Sequence, residues 1–130
     1  MSMGMMLIAV LRGDSAWGLP NMIAAMWLGV DVADGGFGVP TMVGMLTHAA
    51  TSTLMGMVAV PFISGLAGWR VLLVSLAYAL ASYPLVFSLV MRWANPLMYE
   101  RAPMIDMTWG HSVFGVTFAT VLLWIRGRRG

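Results

Sequence analysis

The chain contains no cysteine and no lysine, and only 9% of its 130 residues are charged. Without cysteine there are no disulfides, no thiolate metal sites and no cysteine nucleophile. Ordinary soluble domains carry about 25% charged residues, so this chain has too few polar groups to coat a globule in water. The basic side chains are seven arginines set against five acids. That surplus is too small and too scattered for a nucleic-acid footprint. The N-terminus has neither a basic n-region nor a small-residue cleavage site, so no cleaved signal peptide is expected. No glycine-rich phosphate loop, zinc-protease helix motif, nucleophile elbow or Ser/His/Asp grouping occurs. No catalytic residue is assigned, and the chain reads as a non-enzyme.

What is present is apolar surface, at 60% of residues. The solvent it suits is a bilayer, where a span needs roughly 20 predominantly apolar residues. Residues 1–11 are apolar but reach about half that length, and Arg12 to Ser15 break the run. Trp17 to Val30 reads as a short interfacial helix. Pro20 suits its first turn, and Trp17 and Trp27 suit the headgroup region. One broken span over residues 1–29 is an equal alternative. Asp31 to Pro40 is a loop. Three full spans follow, at about 41–64, 71–91 and 105–125, with Pro61 and Pro84 inside the first two and a polar loop from Arg92 to Met104. Neighbouring helices can satisfy the carbonyls such prolines free. The fold class is therefore all-α: a polytopic transmembrane helix bundle forming one domain over residues 1–130.

Charge suggests the orientation. Arg70, Arg126, Arg128 and Arg129 share one side if three spans alternate; Arg92 and Arg101 lie opposite with most of the acids, joined by Arg12 if residues 1–11 do not cross. The positive-inside rule counts basic residues near span ends, which puts the C-terminus in the cytoplasm and both histidines towards the outer side.

Those histidines are the main candidates. His48 and His111 lie at similar depth in two spans running the same way, roughly 10 Å below the outer surface at about 1.5 Å per residue. Each lies on a stripe of small residues at helical spacing: Gly44, His48, Ser52 and Gly56, and then Met107, His111, Gly115 and Ala119. An ionisable residue inside a membrane is a functional-site hypothesis. The competing and preferred reading is structural. The imidazoles would then hydrogen-bond across a helix interface to Thr47, Thr51, Ser52, Thr108 or Ser112, and the small residues would let the helices approach. On either reading Gly44–Gly56 is expected to pack against Met107–Ala119.

Fourteen methionines make a second feature. Met45 precedes His48 and Met107 precedes His111 by about one turn. Thioether and imidazole ligands suit Cu(I), so His48, His111, Met45 and Met107 form a candidate copper site. Met1, Met3, Met5, Met6, Met22, Met26, Met91 and Met98 have no histidine near them in sequence, which favours methionine as a general packing residue. Haem ligated by both histidines is a further alternative. Binding no cofactor is expected ahead of copper or haem. The acids Asp31, Asp34, Glu100 and Asp106 read as ion-pair partners of Arg12, Arg92 and Arg101, in preference to a cation vestibule. Asp106 also suits a helix cap.

The run Trp17-Gly18-Leu19-Pro20-Asn21-Met22-Ile23-Ala24-Ala25 followed by Leu28-Gly29, the segments His48-Ala49-Ala50-Thr51-Ser52 with Gly56, and Gly110-His111-Ser112-Val113-Phe114-Gly115 together resemble a family of small uncharacterised bacterial inner-membrane proteins with four helices. The similarity covers nearly the whole chain through short apolar motifs. It implies a four-helix membrane fold in a bacterial inner membrane and no particular activity. His48 and His111 match the family pattern, with no role attached to them. In that family the first span is usually complete, whereas here about half of one is evident; the chain is either shortened or completed by a partner. The functional expectation is a non-catalytic accessory subunit of a larger membrane assembly, in contact with lipid and other membrane subunits. Metal handling or small-solute transport through the histidines is the alternative.

Overall fold

The computed structural model describes residues 3–102 and 104–128. The first two residues of the N-terminal apolar run, Pro103 of the polar loop and Arg129 of the basic tail lie outside that range. The described residues form α1 (Met3–Leu11), α2 (Gly18–Leu28), a single three-ten turn (Val30–Val32) and α3 (Val39–Ile63). After these come α4 (Trp69–Ala94), α5 (Pro96–Arg101) and α6 (Met104–Gly127). There is no strand among them. The chain is an all-α membrane bundle.

Three helices, α3, α4 and α6, are 25, 26 and 24 residues long and apolar enough to cross a membrane. At 1.5 Å per residue that is about 36–39 Å, more than the roughly 30 Å hydrocarbon core. Only 11–17% of the most apolar stretch of each is buried within the protein. Leu46, Leu54, Phe62, Leu73, Leu85 and Leu89, among many others, face outward. Apolar surface so continuous is untenable in water and costs nothing against acyl chains. α1 has nine residues and α2 eleven, so each reaches about half a span, and the chain turns between them at Arg12–Trp17.

The helices pair as two hairpins. In the first, α2 lies on the N-terminal third of α3. Its Asn21, Ala24 and Ala25 are buried, and Gly44 of α3 meets the Pro20 carbonyl so closely that a Cβ there would overlap it. The pairing is locked by polar groups. Asn21 Nδ2 donates to the carbonyls of Gly35 (2.7 Å) and Gly36 (3.2 Å), and its Oδ1 accepts from the Thr41 hydroxyl at 2.8 Å. Thr41 Oγ1 in turn accepts from the Gly38 N–H, 3.2 Å away, at the start of α3. One asparagine thus ties α2, the glycine loop and the α3 N-terminus together. At the exposed end of α2, Trp27 Nε1 donates to Thr47 Oγ1 at 3.1 Å.

In the second hairpin α4 packs along α6. Gly115 lets α6 come within van der Waals contact of the backbone at Ser75 and Leu76. The hairpins join at two levels. Near the C-terminal end of α3, Ala59, Ile63, Val71 and Ala119 form a buried cluster flanked by Leu66, Tyr78, Phe118 and Leu122. The Tyr78 hydroxyl donates to the Met55 carbonyl at 3.0 Å. There Arg126 also donates to the carbonyls of Leu66 and Ser64, both at 2.6 Å, and of Ile63 at 3.2 Å. Carbonyls left over at a helix C-terminus are what a nearby arginine satisfies. At the opposite level Ile23, Met98 and Met107 cluster beneath Leu19, Tyr83, Phe87 and Met91.

Asn95 joins that end. Its side chain caps α5 by accepting from the Met98 N–H at 3.1 Å and donates to the Met22 carbonyl at 2.8 Å. The loop expected from Arg92 to Met104 is therefore the last turn of α4 and a short helix. Asp106 lies inside the first turn of α6 instead of capping it. Its two oxygens accept from Arg12 at 2.9 and 3.0 Å. Arg101 pairs with Asp34 at 3.2 Å. Asp106 and Asp34 are thus ion-pair partners, whereas no ion pair of Asp31, Glu100 or Arg92 occurs among the described residues.

Candidate functional site

Between the two joints, where the hairpins diverge, lies a cavity of about 410 Å³. Four elements line it. α2 contributes Leu19, Ile23 and Met26; α3 contributes Thr47, His48, Thr51, Ser52 and Met55; α4 contributes Tyr83, Val86, Phe87 and Met91. α6 contributes Met107, Gly110, His111, Val113, Phe114 and Thr117, and Asn95 and Met98 close one end. Two turns of helical spacing explain the α3 wall, since residues 48, 51, 52 and 55 share a face. On α4 the wall is made by a local widening. Pro84 has no N–H to continue the ladder, and Phe87–Met91 is a π-helical turn. Such turns recur at functional sites; this one brings Phe87 and Met91 to the cavity.

Both histidines reach this cavity, although 63 residues separate them in sequence (111 − 48). His111 is held on two sides. Its Nδ1 lies 2.8 Å from the Met107 carbonyl one turn back, and Tyr83 packs against its ring at 5.1 Å between centroids. A carbonyl oxygen can only accept, so the neutral imidazole carries its proton on Nδ1. Nε2, on the far edge of the ring, then presents a lone pair. His48 has no hydrogen bond to a described residue. Three of the five hydroxyls expected to serve the imidazoles are otherwise engaged: Thr51 donates to the Thr47 carbonyl, Thr108 to that of Met104 and Ser112 to that of Thr108; Thr47 accepts from Trp27. Within a helix the carbonyl four residues back is always in reach of a threonine or serine hydroxyl, and that local bond wins.

The small-residue stripes also part company. Gly44 faces α2, Gly115 faces α4, and Ala119 joins the cluster with Val71. Ser52 and both histidines line the cavity. Gly56 of the first stripe faces the ring of Phe118, which lies beside the second stripe and outside it, at 3.5 Å from a would-be Cβ. Met107 is buried and lines the cavity, whereas Met45 lies exposed on α3 and is absent from the wall. Four methionines that sequence proximity to histidine passed over, Met26, Met55, Met91 and Met98, line it instead. Their only signal in the sequence was helical phase: residue 55 is seven beyond 48, and 26 is seven beyond 19. No group of three or more His, Cys, Asp or Glu side chains able to hold a metal ion occurs among the described residues.

The wall is apolar apart from the two imidazoles, the α3 hydroxyls, Thr117, Asn95 and the Tyr83 ring edge, and none of its side chains is a carboxylate or a guanidinium. Its volume falls within the 300–1,000 Å³ of ordinary small-molecule sites, which are likewise mostly apolar with a few placed polar groups. That size and lining suit a small neutral molecule. No protein-family model, no curated protein and no solved structure matches the chain.

Proposed function

We propose that this protein is a non-catalytic, multi-pass membrane protein that binds a small, mainly apolar molecule between its two helix hairpins. It serves as a carrier or as a ligand-sensing subunit. The observation that carries this reading is the convergence of His48 and His111 on one cavity while the hydroxyls of Thr51 and Ser112 beside them bond to their own helices. The resemblance to small four-helix proteins of bacterial inner membranes supports that location. The arginines Arg70, Arg126 and Arg128 at one end support a cytoplasmic C-terminus.

The test is chemical. Wild-type protein and a His48→Phe/His111→Phe variant are purified in mild detergent, extracted with organic solvent and compared by mass spectrometry. A small molecule present in stoichiometric amount in the wild type and lost in the variant is expected; identical extracts from both would sink the reading.

Two further readings rest on specific observations. Five methionines and two histidines around one cavity are the donor set of a Cu(I) handler. Stoichiometric copper in the same preparation would establish it, and a Soret band would establish haem. An accessory role in a larger assembly is supported by the exposed small face of α3 at Ala49, Ala50 and Thr53, where a neighbouring helix can approach closely. A fixed set of larger membrane proteins co-purifying with the wild type, and released when Ala49 is replaced by Phe, is the expected result for that reading.

A further inference from the structure

One atom of the cavity wall, His111 Nε2, can discriminate between ligands, and an inference drawn from it rests on the proposal that the cavity binds a small molecule. Three observations bear on which molecule fits. First, the Nδ1–H of His111 is committed to the Met107 carbonyl, so Nε2 is an acceptor and cannot donate while the ring is neutral. The Tyr83 ring holds the imidazole in that pose. Secondly, no carboxylate or guanidinium lines the cavity. A charged ligand would lose its hydration with no fixed opposite charge in return, which is prohibitive in an apolar site. Thirdly, the cavity that His111 lines is walled largely by rings and thioethers, among them Phe87, Phe114, Tyr83, Met91 and Met107, with Tyr83 against the imidazole itself. Aromatic edges and methionine sulfur both favour contact with a flat aromatic ring.

We infer that the cavity selects a neutral aromatic molecule bearing a hydrogen-bond donor, a phenolic O–H or an indole-type N–H, which it gives to His111 Nε2. The discrimination comes from the unbalanced pairing. A donor-bearing ring satisfies the imidazole, while the same ring with its donor methylated leaves Nε2 buried beneath an apolar group, and an unmet buried acceptor is costly. His48 is not the discriminating group, because no bond fixes its tautomer and it can either donate or accept.

The experiment titrates the full chain in lipid bicelles with indole and with N-methylindole, following binding by calorimetry against protein-free bicelles. Indole is expected to bind about 3- to 10-fold more tightly, the ratio one neutral hydrogen bond supplies. The His111→Phe variant keeps a ring against Tyr83 but has no acceptor, and the preference is expected to vanish in it.

A second measurement needs no substitution. Nitrogen NMR of histidine-labelled wild type is expected to show one unprotonated Nε2 that shifts with indole and stays still with N-methylindole. Equal affinity for the two probes in the wild type, a preference that survives in His111→Phe, or an Nε2 indifferent to indole would overturn the inference while leaving the cavity reading standing. If neither probe binds above the bicelle background, this inference falls, whereas the cavity reading falls only if the solvent extracts of wild type and the double-histidine variant are identical.

Discussion

Asn21 and Ser75 are both buried polar side chains, and they differ in whether the fold answers them. Asn21 is fully buried and its amide is matched at both ends by Gly35, Gly36 and Thr41. Replacing it with alanine strands the Thr41 hydroxyl and the loop carbonyls, at about 1–3 kcal/mol for a buried group left unmet. Asn21→Ala is expected to lower the thermal midpoint of the detergent-solubilised protein clearly. Ser75 is 1% exposed and its Oγ is the one buried side-chain N or O atom among the described residues without a partner. Its loss removes a desolvation cost and no bond. Ser75→Ala is therefore expected to be neutral or stabilising in the same melt, and a drop of several degrees would mean the hydroxyl has a partner such as water. Neither role was visible in the sequence. The importance of Asn21 depends on a loop fourteen residues away folding back over it, and a single serine in an apolar run looks the same whether it is satisfied or not.

At the scale of helices, glycines rank by what stands opposite them. A methyl on Gly44 would overlap the Pro20 carbonyl, which belongs to the backbone and cannot swing aside. On Gly115 it would press at 3.0 Å against Leu76 Cα and the Ser75 carbonyl, and on Gly56 it would merely touch the Phe118 ring at 3.5 Å. The expected order of damage is Gly44→Ala, then Gly115→Ala, then Gly56→Ala. The first should exceed the 1–3 kcal/mol usual for overpacking. The last should be close to neutral, because alanine favours the helix by up to about 1 kcal/mol over glycine. Melting the three variants side by side checks the order, and Gly56→Ala as the worst of them would refute it. The sequence displayed all three glycines at the right spacing and so showed that helices approach one another there. It paired the two histidine stripes with each other, whereas each hairpin uses its own glycine internally. Helical phase says which residues share a face; it does not say which neighbour that face meets.

The molecule as a whole is two hairpins fastened at both levels and open between them. One fastening is Arg126, whose guanidinium bridges α6 to the last carbonyls of α3. Hydrogen bonds to a charged donor contribute about 1.5–3 kcal/mol. Arg126→Leu is expected to loosen that joint, read as faster hydrogen exchange at the amides following Ile63 with little change around Thr41. Uniform exchange across both ends would contradict it. The Tyr78 bond to the Met55 carbonyl is a lesser tie, since interhelical hydrogen bonds in membranes average about 0.6 kcal/mol. Tyr78→Phe should cost only that much.

The membrane setting and the positions of the three spans were legible in the residues alone, because the length and apolarity of a helix in lipid are local properties. The ends moved by only a few residues, with α4 carried on to Ala94 by its π-helical turn and α5 forming in the expected loop. The two histidines stood out for the same reason: an ionisable group in an apolar run needs no neighbour to be noticed. What the tertiary structure decided was their surroundings. Whether His48 and His111 share one space, which methionines join them and which imidazole nitrogen is left open all depend on the angle at which two hairpins diverge. That angle is set where the hairpins join, in the clusters of Ala59, Ile63, Val71 and Ala119 and of Ile23, Met98 and Met107, between residues far apart in the chain, where no local pattern reaches.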